Sequence, residues 1–576
     1  MSKENIQTTL DSKEEREVIK EEKDPWGLLL RKDKVTKDVL DKKDIWLTKT
    51  EVDIIDSEDF QRLREVMQIP FADLVYIGAT HTRFEHSIGT LDMVQKMIDN
   101  INMNAERWDG CEKLTSRDIF IARLVGLLHD LAHLSFPHIL EDGAIVEERQ
   151  WADQDRIKKF LSEGAKICEI IKKNIKEAFV KCKASGWEEA FKEAIEDIKE
   201  SLIIIEKGVK EAKREVVYAD IVGNTICADI LDYILRDLLH AGLEGQYDAR
   251  ILSFFVVKRV DGKRRVVLRL FKDGEYRDSV LSSCMQILDL RYQLAAKVYY
   301  HHTRRKARAM AVEMVGAAIK AGILDKDKLL DMGGIALREY ILNFNDNEIN
   351  ETEKQQYLQI AKNLAKGLKD RRLYDVLYET AIKDSRAKQH IEEIEFDWKK
   401  RFEFEREIEK LFGLTPGSVI IFVPRKSMDA KKTLDTLVEV PSSWGSTVKT
   451  LDSLERDDFP DEYKDIYEVI TLTKDTIIRK HELLWKLTAY VNKNVDAEKR
   501  KKIKALLEQW FNGAAPVTAI EALAEREKVT LTPTMYTQIA EEINGIIAST
   551  ADPSRCLFIQ ALDAARSRFN QLGSKK

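Results

Sequence analysis

Hydrophobic residues recur along most of this chain at the three- and four-residue spacing that is typical of amphipathic helices. This spacing predicts helices over residues 57–69 and 84–101, each with one buried face. Residues 119–131 are apolar on nearly every side, and this pattern predicts a helix that is buried all round. Thr115 and Asp118, at its amino-terminal end, predict a capping box. The amino-terminal half of the chain is therefore expected to have a mostly α-helical core.

Strand-like patterns occupy shorter stretches. Residues 26–57 favour short strands and turns. The apolar runs at 251–260 and 265–271 flank Asp261-Gly262, a dipeptide typical of tight turns, and together they predict a β-hairpin. Three further strands are predicted in one small sheet, at residues 418–424, 434–440 and 469–473.

The length of 576 residues exceeds what one hydrophobic core ordinarily serves, so two or three lobes are expected. Residues 1–24 are rich in Lys and Glu and are expected to be mobile. The rest is predicted to divide into a helical core, a charged segment with a small α+β lobe, and a helical carboxyl-terminal extension. The predicted bounds are 25–345 for the core, with a helical insertion at 150–217, then 346–480 and 481–576.

The composition narrows the class of protein. Charged residues make up 34% of the chain and aromatic residues 8%, as in ordinary globular proteins with much helix. The net charge of −6 argues against a general basic surface for nucleic acid, so an anionic substrate must be held by local Lys and Arg. The six cysteines have no paired spacing and indicate reduced thiols in a cytoplasmic protein. Because no apolar run is long enough, neither a signal peptide nor a membrane span is predicted.

Histidines and acidic residues form the most informative pattern in the chain. His129-Asp130 lies at the end of the buried helix, His86 lies in the first turn of an earlier helix, and Asp229 lies on a later one. Imidazoles and carboxylates together suit a divalent transition metal or Mg²⁺, and water bound to such a metal becomes a nucleophile at neutral pH. A single histidine is more often an ordinary core or surface residue. Four ligands on converging helices, however, favour a metal centre.

These four residues belong to an ordered series of short motifs. The motifs are Phe60-Gln61-Arg62-Leu63-Arg64, Met67-Gln68-Ile69, His81-Thr82-Arg83-Phe84-Glu85-His86-Ser87-Ile88-Gly89, His129-Asp130-Leu131-Ala132-His133 and Asp229…Tyr233…Arg236-Asp237. The series resembles the HD-domain deoxynucleoside triphosphate triphosphohydrolases, which include bacterial dGTPases and the vertebrate sterile-alpha-motif and HD-domain protein. The resemblance covers residues 25–480 and is densest at 57–142 and 225–305.

The resemblance implies a fold, a reaction and a cofactor. The expected fold is mostly α, with an HD-domain helical core, a small α+β lobe and a helical carboxyl-terminal extension. The expected reaction is the attack of water on the α-phosphorus of a dNTP, which yields a deoxynucleoside and tripolyphosphate. One divalent metal ion (Mg, Mn, Fe, Zn or Ni) would be held by His86, His129, Asp130 and Asp229.

The resemblance also implies roles for substrate-binding residues. The phosphates would be contacted by Arg83, His138 and Arg291. A planar guanidinium offers two parallel donors to a phosphate, which agrees with this assignment.

The sugar would be held by a second set of residues. Gln68, with Asp237 as its partner, would read the 3′-hydroxyl, and Tyr233 would pack beneath the deoxyribose. Tyr299 would close the sugar side and leave no room for a 2′-hydroxyl. Outside the motif, Tyr233 is equally consistent with an ordinary core residue and Asp237 with a helix-surface charge.

The chain departs from the family pattern at the second catalytic group. The family has an Asp and then a His after the HD motif, whereas here Glu141 and Asp153 stand at about those positions and residues 147–153 contain no histidine. His133 can supply the acid that protonates the leaving oxygen, because its ordinary pKa lies near neutrality, and Glu141 could orient it.

Further partners are expected from the resemblance and from the basic run at 301–308. That run is consistent with an allosteric nucleotide, with a neighbouring subunit, or with a solvated helix face. The resemblance implies a nucleotide-activated homo-oligomer, and dNTP depletion in antiviral defence is a further hypothesis. A companion protein could bind the extension at 481–576. The alternatives are another HD phosphohydrolase, acting on a nucleoside monophosphate, a cyclic nucleotide or an alarmone, and a non-catalytic nucleotide sensor.

Overall fold

The computed structural model describes residues 24–40, 44–142, 145, 153–208, 212–224, 226–272, 275–382, 388–424, 436–442, 445–459, 461, 464–548 and 555–573. The segment predicted to be mobile, residues 1–24, lies outside this part of the chain except for Asp24. The side chains of Glu141 and Asp153 also lie outside it.

The amino-terminal half is helical, as the hydrophobic spacing predicts. Its helices are α1 (Pro25–Leu29), α2 (Lys49–Ile55), α3 (Glu58–Gln61), α4 (Arg83–Arg107), α5 (Ser116–Leu128), α6 (Ile139–Asp142), α7 (Asp153–Leu161), α8 (Lys166–Lys181), α9 (Trp187–Lys207), α10 (Val217–Gly223) and α11 (Ala228–His240), and its hairpin consists of β1 (Lys32–Lys37) and β2 (Asp44–Thr48). The capping box of α5 is confirmed, since Thr115 and Asp118 each accept a hydrogen bond from the other's backbone N–H.

The predicted helix at 57–69 is shorter than expected. α3 ends at Gln61, and a 3₁₀ turn continues only to Glu65. The chain then becomes extended, because Met67 forms a β-bridge with Thr82 and a proline follows at position 70.

Helices α4, α5 and α11 form the centre of the helical core. The inner face of α4 is buried along its length, for example at Leu91, Val94 and Ile98. Gly126 allows α5 to approach this face closely, since a Cβ atom at that position would lie 2.8 Å from a methyl group of Val94. This close approach brings the carboxyl-terminal end of α5 near the start of α4.

A helical hairpin lies between α6 and α10, within residues 150–217, for which a helical insertion is predicted. Helices α8 and α9 are joined by a turn in which Lys183 and Gly186 have φ angles of 54° and 82°. Glycine adopts this left-handed conformation without a steric penalty. The hairpin buries its apolar side chains in the same hydrophobic cluster as α4 and α5.

The predicted hairpin at 251–271 is confirmed, with β3 (Phe255–Val260) paired to β4 (Lys263–Arg269). Asp261 and Gly262 form its turn, with φ angles of 50° and 78°. Strand β4 continues into a four-stranded sheet of order β10-β9-β4-β3, whose other members are β9 (Leu437–Ser442) and β10 (Gly445–Thr450). The short strands β5 (Phe271–Lys272) and β6 (Glu275–Tyr276) pair separately.

The prediction of one small sheet from residues 418–424, 434–440 and 469–473 is wrong. The first stretch lies in a different sheet, of order β7-β11-β8, formed by β7 (Asp375–Ala381), β8 (Val419–Phe422) and β11 (Lys486–Val491). Residues 469–473 lie in a helix, α19 (Lys464–Glu482). Burial there follows helical spacing, since Ile470 and Ile477 are buried while Leu472 is exposed. A short apolar run does not distinguish the two structures by itself.

The remaining helices complete the core and form a second hydrophobic unit. In the core these are α12 (Asp278–Leu294), α13 (His302–Lys320), α14 (Lys326–Asp331), α15 (Gly334–Asn343) and α16 (Thr352–Lys369). The second unit packs the sheet β7-β11-β8 with α17 (Lys388–Phe396), α18 (Trp398–Leu411), α20 (Ala497–Phe511), α21 (Val517–Arg526), α22 (Pro533–Ala548) and α23 (Leu557–Gly573). The fold is therefore mostly α, as predicted. Among the helices described, none is both long and apolar enough to cross a membrane.

Candidate metal centre

The candidate ligands lie at the ends of three helices. His86 is in the first turn of α4, and Asp229 is in the first turn of α11. His129 is the residue that caps the carboxyl-terminal end of α5, and Asp130 follows it. In a helical bundle, side chains on facing elements can share one space even when they come from distant parts of the chain.

The helix that leads to His129 ends sooner than predicted. α5 ends at Leu128, so Asp130 and His133 lie in the turns that follow it and not on the helix. Arg62 donates hydrogen bonds to two backbone carbonyls of these turns, at 2.6 and 3.0 Å. These bonds satisfy acceptors that would otherwise be left without partners where the helix stops.

The ligand atoms converge on one position. His86 Nε2 lies 2.9 Å from Asp229 Oδ1 and 3.5 Å from Asp130 Oδ2. His129 Nε2 lies 3.3 Å from His86 Nε2, 3.5 Å from Asp130 Oδ2 and 3.6 Å from Asp229 Oδ1. The ligand atoms of His86, His129 and Asp130 all lie within 4.8 Å of one another. These separations are compatible with a single ion between the four side chains.

The charges at this position also favour a cation. Burial lowers the pKa of His86, but hydrogen bonds with Asp229 and Asp232 outweigh burial and raise that pKa to about 10. Burial raises the pKa of Asp130 and Asp229, yet the charge of Arg83 on Asp130, and the hydrogen bonds of His129 and His86 on Asp229, hold both values below the usual range. The ionised Asp130 and Asp229 thus favour positive charge between them, which protons on the histidines or a metal ion can supply.

The donor set fits a divalent metal. Two imidazole nitrogens and two carboxylate oxygens suit Mn, Fe, Zn or Ni, and the carboxylates also suit Mg. The set therefore supports a metal centre but does not distinguish these ions.

Arg83 lies directly beside the candidate metal position. The side chain is buried, and Nη1 donates a hydrogen bond of 2.5 Å to Asp130 Oδ2. Its Nε is buried and has no hydrogen-bond partner in the described part of the chain. A guanidinium at this position is close enough to the candidate ion to reach a phosphate oxygen bound there.

His133 and His138 form one wall next to Asp130. His133 Nδ1 lies 3.5 Å from Asp130 Oδ1, and the Nε2 atoms of the two histidines are 3.5 Å apart. His138 has a left-handed backbone with φ of 59°, which is uncommon for a residue other than glycine. The surrounding protein, together with the positive charge of Arg83, lowers the pKa of His138. This ring is therefore a neutral imidazole at physiological pH.

Three of the residues predicted to hold the sugar, Asp237, Tyr299 and Gln68, are connected through direct contacts and through His81. Asp237 accepts a hydrogen bond of 2.6 Å from the Tyr299 hydroxyl and pairs with His81 Nε2 at 2.8 Å. Gln68 lies beside His81, since its backbone N–H donates to the His81 carbonyl, and its side-chain Oε1 is buried without a hydrogen-bond partner among the described residues. Tyr299 ends a π-helical turn at Ala295–Tyr299, a distortion that is frequent at functional sites.

Arg291 and Tyr233 lie close together near α19. Arg291 is half-buried, and its charge acts on Tyr233, whose pKa is raised by burial. Burial and the charge of Arg291 lower the pKa of His481, on α19, to about 4. The charge of Arg291 thus acts both on a residue predicted to contact the sugar and on a neutral imidazole.

The basic run at 301–308 is not a solvated helix face. Arg304 and Arg308 are buried, and Arg304 donates hydrogen bonds to the carbonyls of Pro70 and Tyr299. Arg305 forms an ion pair of 2.7 Å with Glu379. The cations of this run connect the start of α13 to the backbone at Pro70 and Tyr299 and to β7.

Sequence reasoning missed two residues that contact the predicted site. His81 stacks on His240 with ring centroids 4.2 Å apart and holds Asp237, while Asp232 accepts a hydrogen bond from His86. The position of Asp232, three residues after Asp229 on the same helix, was a usable signal, because residues at this spacing share one helix face.

Comparisons with known proteins agree with this geometry. Residues 83–236 match the HD domain family, and residues 281–443 match the HD associated region. The chain is 31% identical over 311 residues to an uncharacterized protein of Methanocaldococcus jannaschii, covering 54% of this chain and 55% of that protein. It is 27% identical over 341 residues to the deoxynucleoside triphosphate triphosphohydrolase SAMHD1 homolog of Dictyostelium discoideum, covering 58% of this chain and 57% of that protein.

The human deoxynucleoside triphosphate triphosphohydrolase SAMHD1 is 24% identical over 365 residues, which cover 60% of this chain and 51% of the human protein. The chain thus spans about half the length of the curated relatives it matches. The matched HD domain contains all four candidate metal ligands. Residues 83–236 therefore match an HD domain, and the chain is similar over about half its length to deoxynucleoside triphosphate triphosphohydrolases.

Proposed function

We propose that this protein hydrolyses deoxynucleoside triphosphates to a deoxynucleoside and tripolyphosphate. The observation that carries the proposal is the position of the Asp237–Tyr299 pair, with its 2.6 Å hydrogen bond, in the same core as the metal-ligand set of His86, His129 and Asp130. A phosphohydrolase that recognises only the phosphate would need the metal ligands and not the Asp237–Tyr299 pair. The names of the relatives that match this chain support the same reaction.

The metal would be held by His86, His129, Asp130 and Asp229. When bound, a divalent cation makes water acidic enough to act as a nucleophile and offsets phosphate charge. In the proposed reaction a water oxygen bonds to the α-phosphorus and the bond from that phosphorus to the sugar 5′-oxygen breaks. The α-phosphate leaves as part of tripolyphosphate, and the 5′-oxygen needs a proton.

His133 is the proposed source of that proton. Its Nδ1 lies 3.5 Å from Asp130 Oδ1, which would orient the ring, and its Nε2 lies 3.5 Å from Nε2 of His138. An imidazole suits this role because its ordinary pKa lies near neutrality. Glu141 and Asp153, at the positions of the family's second catalytic group, remain predicted contributors.

Arg83, His138 and Arg291 are the proposed phosphate-binding residues. The buried Arg83 would contact the phosphate nearest to the metal, because its guanidinium already lies 2.5 Å from a carboxylate of the site. Arg291 would hold the distal phosphates. His138, as a neutral ring, can donate a single hydrogen bond to a phosphate oxygen.

Selection of deoxyribose would depend on Tyr299, Tyr233 and Gln68. The Tyr299 ring is fixed by its hydrogen bond to Asp237, so it cannot easily move aside for a 2′-hydroxyl. The unpartnered Gln68 Oε1 can accept a hydrogen bond from the 3′-hydroxyl. Tyr233 offers an apolar ring face for the sugar.

We further propose nucleotide activation of a cytoplasmic homo-oligomer, with the 301–308 segment near the regulatory nucleotide, and a companion protein on residues 481–576. A role in dNTP depletion during antiviral defence would follow from the same activity. These proposals rest on the family resemblance.

The test is to incubate the purified full chain with each dNTP and with dNTP mixtures, in Mg²⁺ or Mn²⁺, and to separate the products by anion-exchange chromatography. We expect deoxynucleoside and tripolyphosphate in equal amounts. Orthophosphate or pyrophosphate would instead indicate another HD phosphohydrolase. Binding of dNTP without product in any mixture would indicate a sensor.

A further inference from the structure

The ring of His86 is held from behind by a carboxylate. His86 Nδ1 lies 2.8 Å from Asp232 Oδ2, and both side chains are almost completely buried. Asp232 also accepts two hydrogen bonds from Arg236, so it is ionised and can only accept. The proton of the His86–Asp232 hydrogen bond therefore resides on Nδ1. A bond of this kind fixes the ring's orientation and directs Nε2 toward the candidate metal.

Asp232 is held in turn by one fully buried guanidinium. The Nε and Nη2 atoms of Arg236 each donate to Asp232 at 2.8 Å. Its Nη1 and Nη2 donate to the two carboxylate oxygens of Asp38 at 2.9 and 2.8 Å, and Nη1 also donates to Glu85 at 2.8 Å. These bonds use all five N–H groups of the side chain, so Arg236 has a single orientation that depends on all three carboxylates.

The backbone of α4 is adapted to this arrangement. Gly89 lies one turn after His86, and a Cβ atom there would come within 2.0 Å of Arg236 Nη2 and 2.2 Å of Asp232 Oδ1. No other residue type would leave room for the guanidinium and carboxylate to pack against α4. Gly89, in the Arg-Phe-Glu-His-Ser-Ile-Gly motif, thus leaves the space that Arg236 and Asp232 need in order to hold His86.

Asp38 reaches this arrangement from outside the HD domain. It directly follows β1, whereas the matched HD domain begins at residue 83. Its carboxylate is only 10% exposed and is bound to Arg236 through both oxygens. Asp38, next to β1, is therefore linked to the candidate metal ligand His86 by three hydrogen-bonded steps, through Arg236 and Asp232.

From this geometry we infer that Asp38, Arg236 and Asp232 are positioning residues that set the metal affinity of His86. The inference rests on the metal centre of the proposed function. Loss of a group behind a metal-bound histidine typically weakens metal binding about 10- to 100-fold. Asp232→Asn is expected to fall in that range, and Asp38→Asn, which leaves the centre itself intact, is expected to weaken binding about tenfold.

The experiment measures the dissociation constant of Mn²⁺ for the full chain by electron paramagnetic resonance of free Mn²⁺. Glu51→Gln is the matched control. Glu51 also precedes the HD domain and also pairs with a buried arginine, Arg123 on α5, at 2.7 and 2.8 Å. The other hydrogen bonds of Arg123 within the described part of the chain go to Gln95 and to the Trp46 carbonyl, and not to the side chains that hold His86. Thermal unfolding of each variant records the loss of stability separately.

The inference predicts weaker Mn²⁺ binding in Asp38→Asn, Arg236→Lys and Asp232→Asn, and unchanged affinity in Glu51→Gln despite a similar loss of stability. Wild-type affinity in Asp38→Asn would overturn it, and so would an equal weakening in Glu51→Gln. If the wild-type chain itself binds no Mn²⁺, the metal centre of the proposed function fails as well. If Arg236→Lys does not fold, the Mn²⁺ affinity of Asp38→Asn tests the inference without it.

Discussion

The Nε2 atoms of His86 and His129 lie 3.3 Å apart, although these residues are separated by 43 positions in the chain. Both nitrogens lie 3.5 Å from the same carboxylate oxygen, Oδ2 of Asp130. Two buried imidazoles that face each other and a shared carboxylate are unfavourable unless a cation or protons lie between them. The relationship therefore defines a position at which one cation would contact both rings and the shared carboxylate.

Substitution of the shared carboxylate is expected to abolish function. Asp130→Asn removes one ligand charge and the partner of Arg83. We expect Mn²⁺ affinity and dNTP hydrolysis to fall by at least about 100-fold, since loss of even an outer contact costs up to about that much. Mn²⁺ titration and a product assay measure the two effects. Asp461→Asn, at an exposed position, should change neither.

The proposed role of His133 as proton donor predicts a loss of turnover without a loss of metal binding. His133→Gln should lower kcat about 100-fold or more, because general acid catalysis typically contributes about 10²–10⁴ in rate. Mn²⁺ affinity should stay near the wild-type value, because His133 is not among the four proposed ligands. Steady-state kinetics with a saturating dNTP, together with Mn²⁺ titration, separate the two quantities. An unchanged kcat would assign the proton to another group.

The hydrogen bond between Tyr299 and Asp237 predicts sugar selectivity. Tyr299→Phe leaves a buried carboxylate oxygen without this donor, at a cost of about 1–3 kcal/mol. We expect kcat/KM for dNTPs to fall about tenfold and the preference for dNTPs over ribonucleotides to decrease. Competition between dGTP and GTP in one reaction measures this preference. A preference equal to that of the wild type would contradict the proposed role of the ring.

An ion pair at the start of α5 predicts a pH-dependent stability. Burial raises the pKa of Asp118, but hydrogen bonds from Arg264, Tyr218 and Thr115 lower it from 3.8 to about 2. Because the folded pKa is lowered, the stabilisation of about 2 kcal/mol is complete above pH 4 and is lost as the pH falls toward 2.

Thermal unfolding of the wild type and of Asp118→Asn should therefore differ most between pH 5 and 7. The difference between the two unfolding midpoints should narrow below about pH 4, as Asp118 becomes protonated in the wild type. If the difference between the midpoints stays constant down to pH 3, the ionised carboxylate of Asp118 contributes nothing to the stability of the protein.

The sequence predicts correctly those elements whose hydrophobic spacing, capping residues or turn residues favour the same structure as their packing in the protein. The spacing over 84–101 predicts α4 because that helix has one buried face, and Thr115 with Asp118 predicts the start of α5 because capping is a local interaction. The hairpin at Asp261-Gly262 was predictable for the same reason, since its turn needs positive φ angles.

The errors occur where distant residues decide the structure. The end of α5 depends on Arg62, whose guanidinium supplies hydrogen bonds that let the chain turn at Asp130. Residues 469–473 form an apolar run that is typical of a strand. In the structure they belong to a helix, of which only one face is buried by the rest of the protein. Likewise β11 needs β7 and β8 as partners, which periodicity within residues 486–491 does not reveal.

The candidate site was predictable as a set of ligands but not as a network. The motifs identify His86, His129, Asp130 and Asp229 because metals require these residue types. The carboxylates of Asp232 and Asp38 have no motif of their own, and only the structure connects them to His86 through Arg236. Contacts of this kind depend on three elements packing together, so sequence spacing alone does not contain them.

The central claim is that four side chains bind one metal ion and direct water to the α-phosphorus of a dNTP. Hydrolysis of a dNTP mixture in ¹⁸O-labelled water, followed by ³¹P nuclear magnetic resonance, tests it most directly. The account predicts one ¹⁸O atom on a terminal phosphorus of tripolyphosphate and no product from Asp130→Asn. Label in orthophosphate or pyrophosphate, or undiminished turnover by Asp130→Asn, would contradict it.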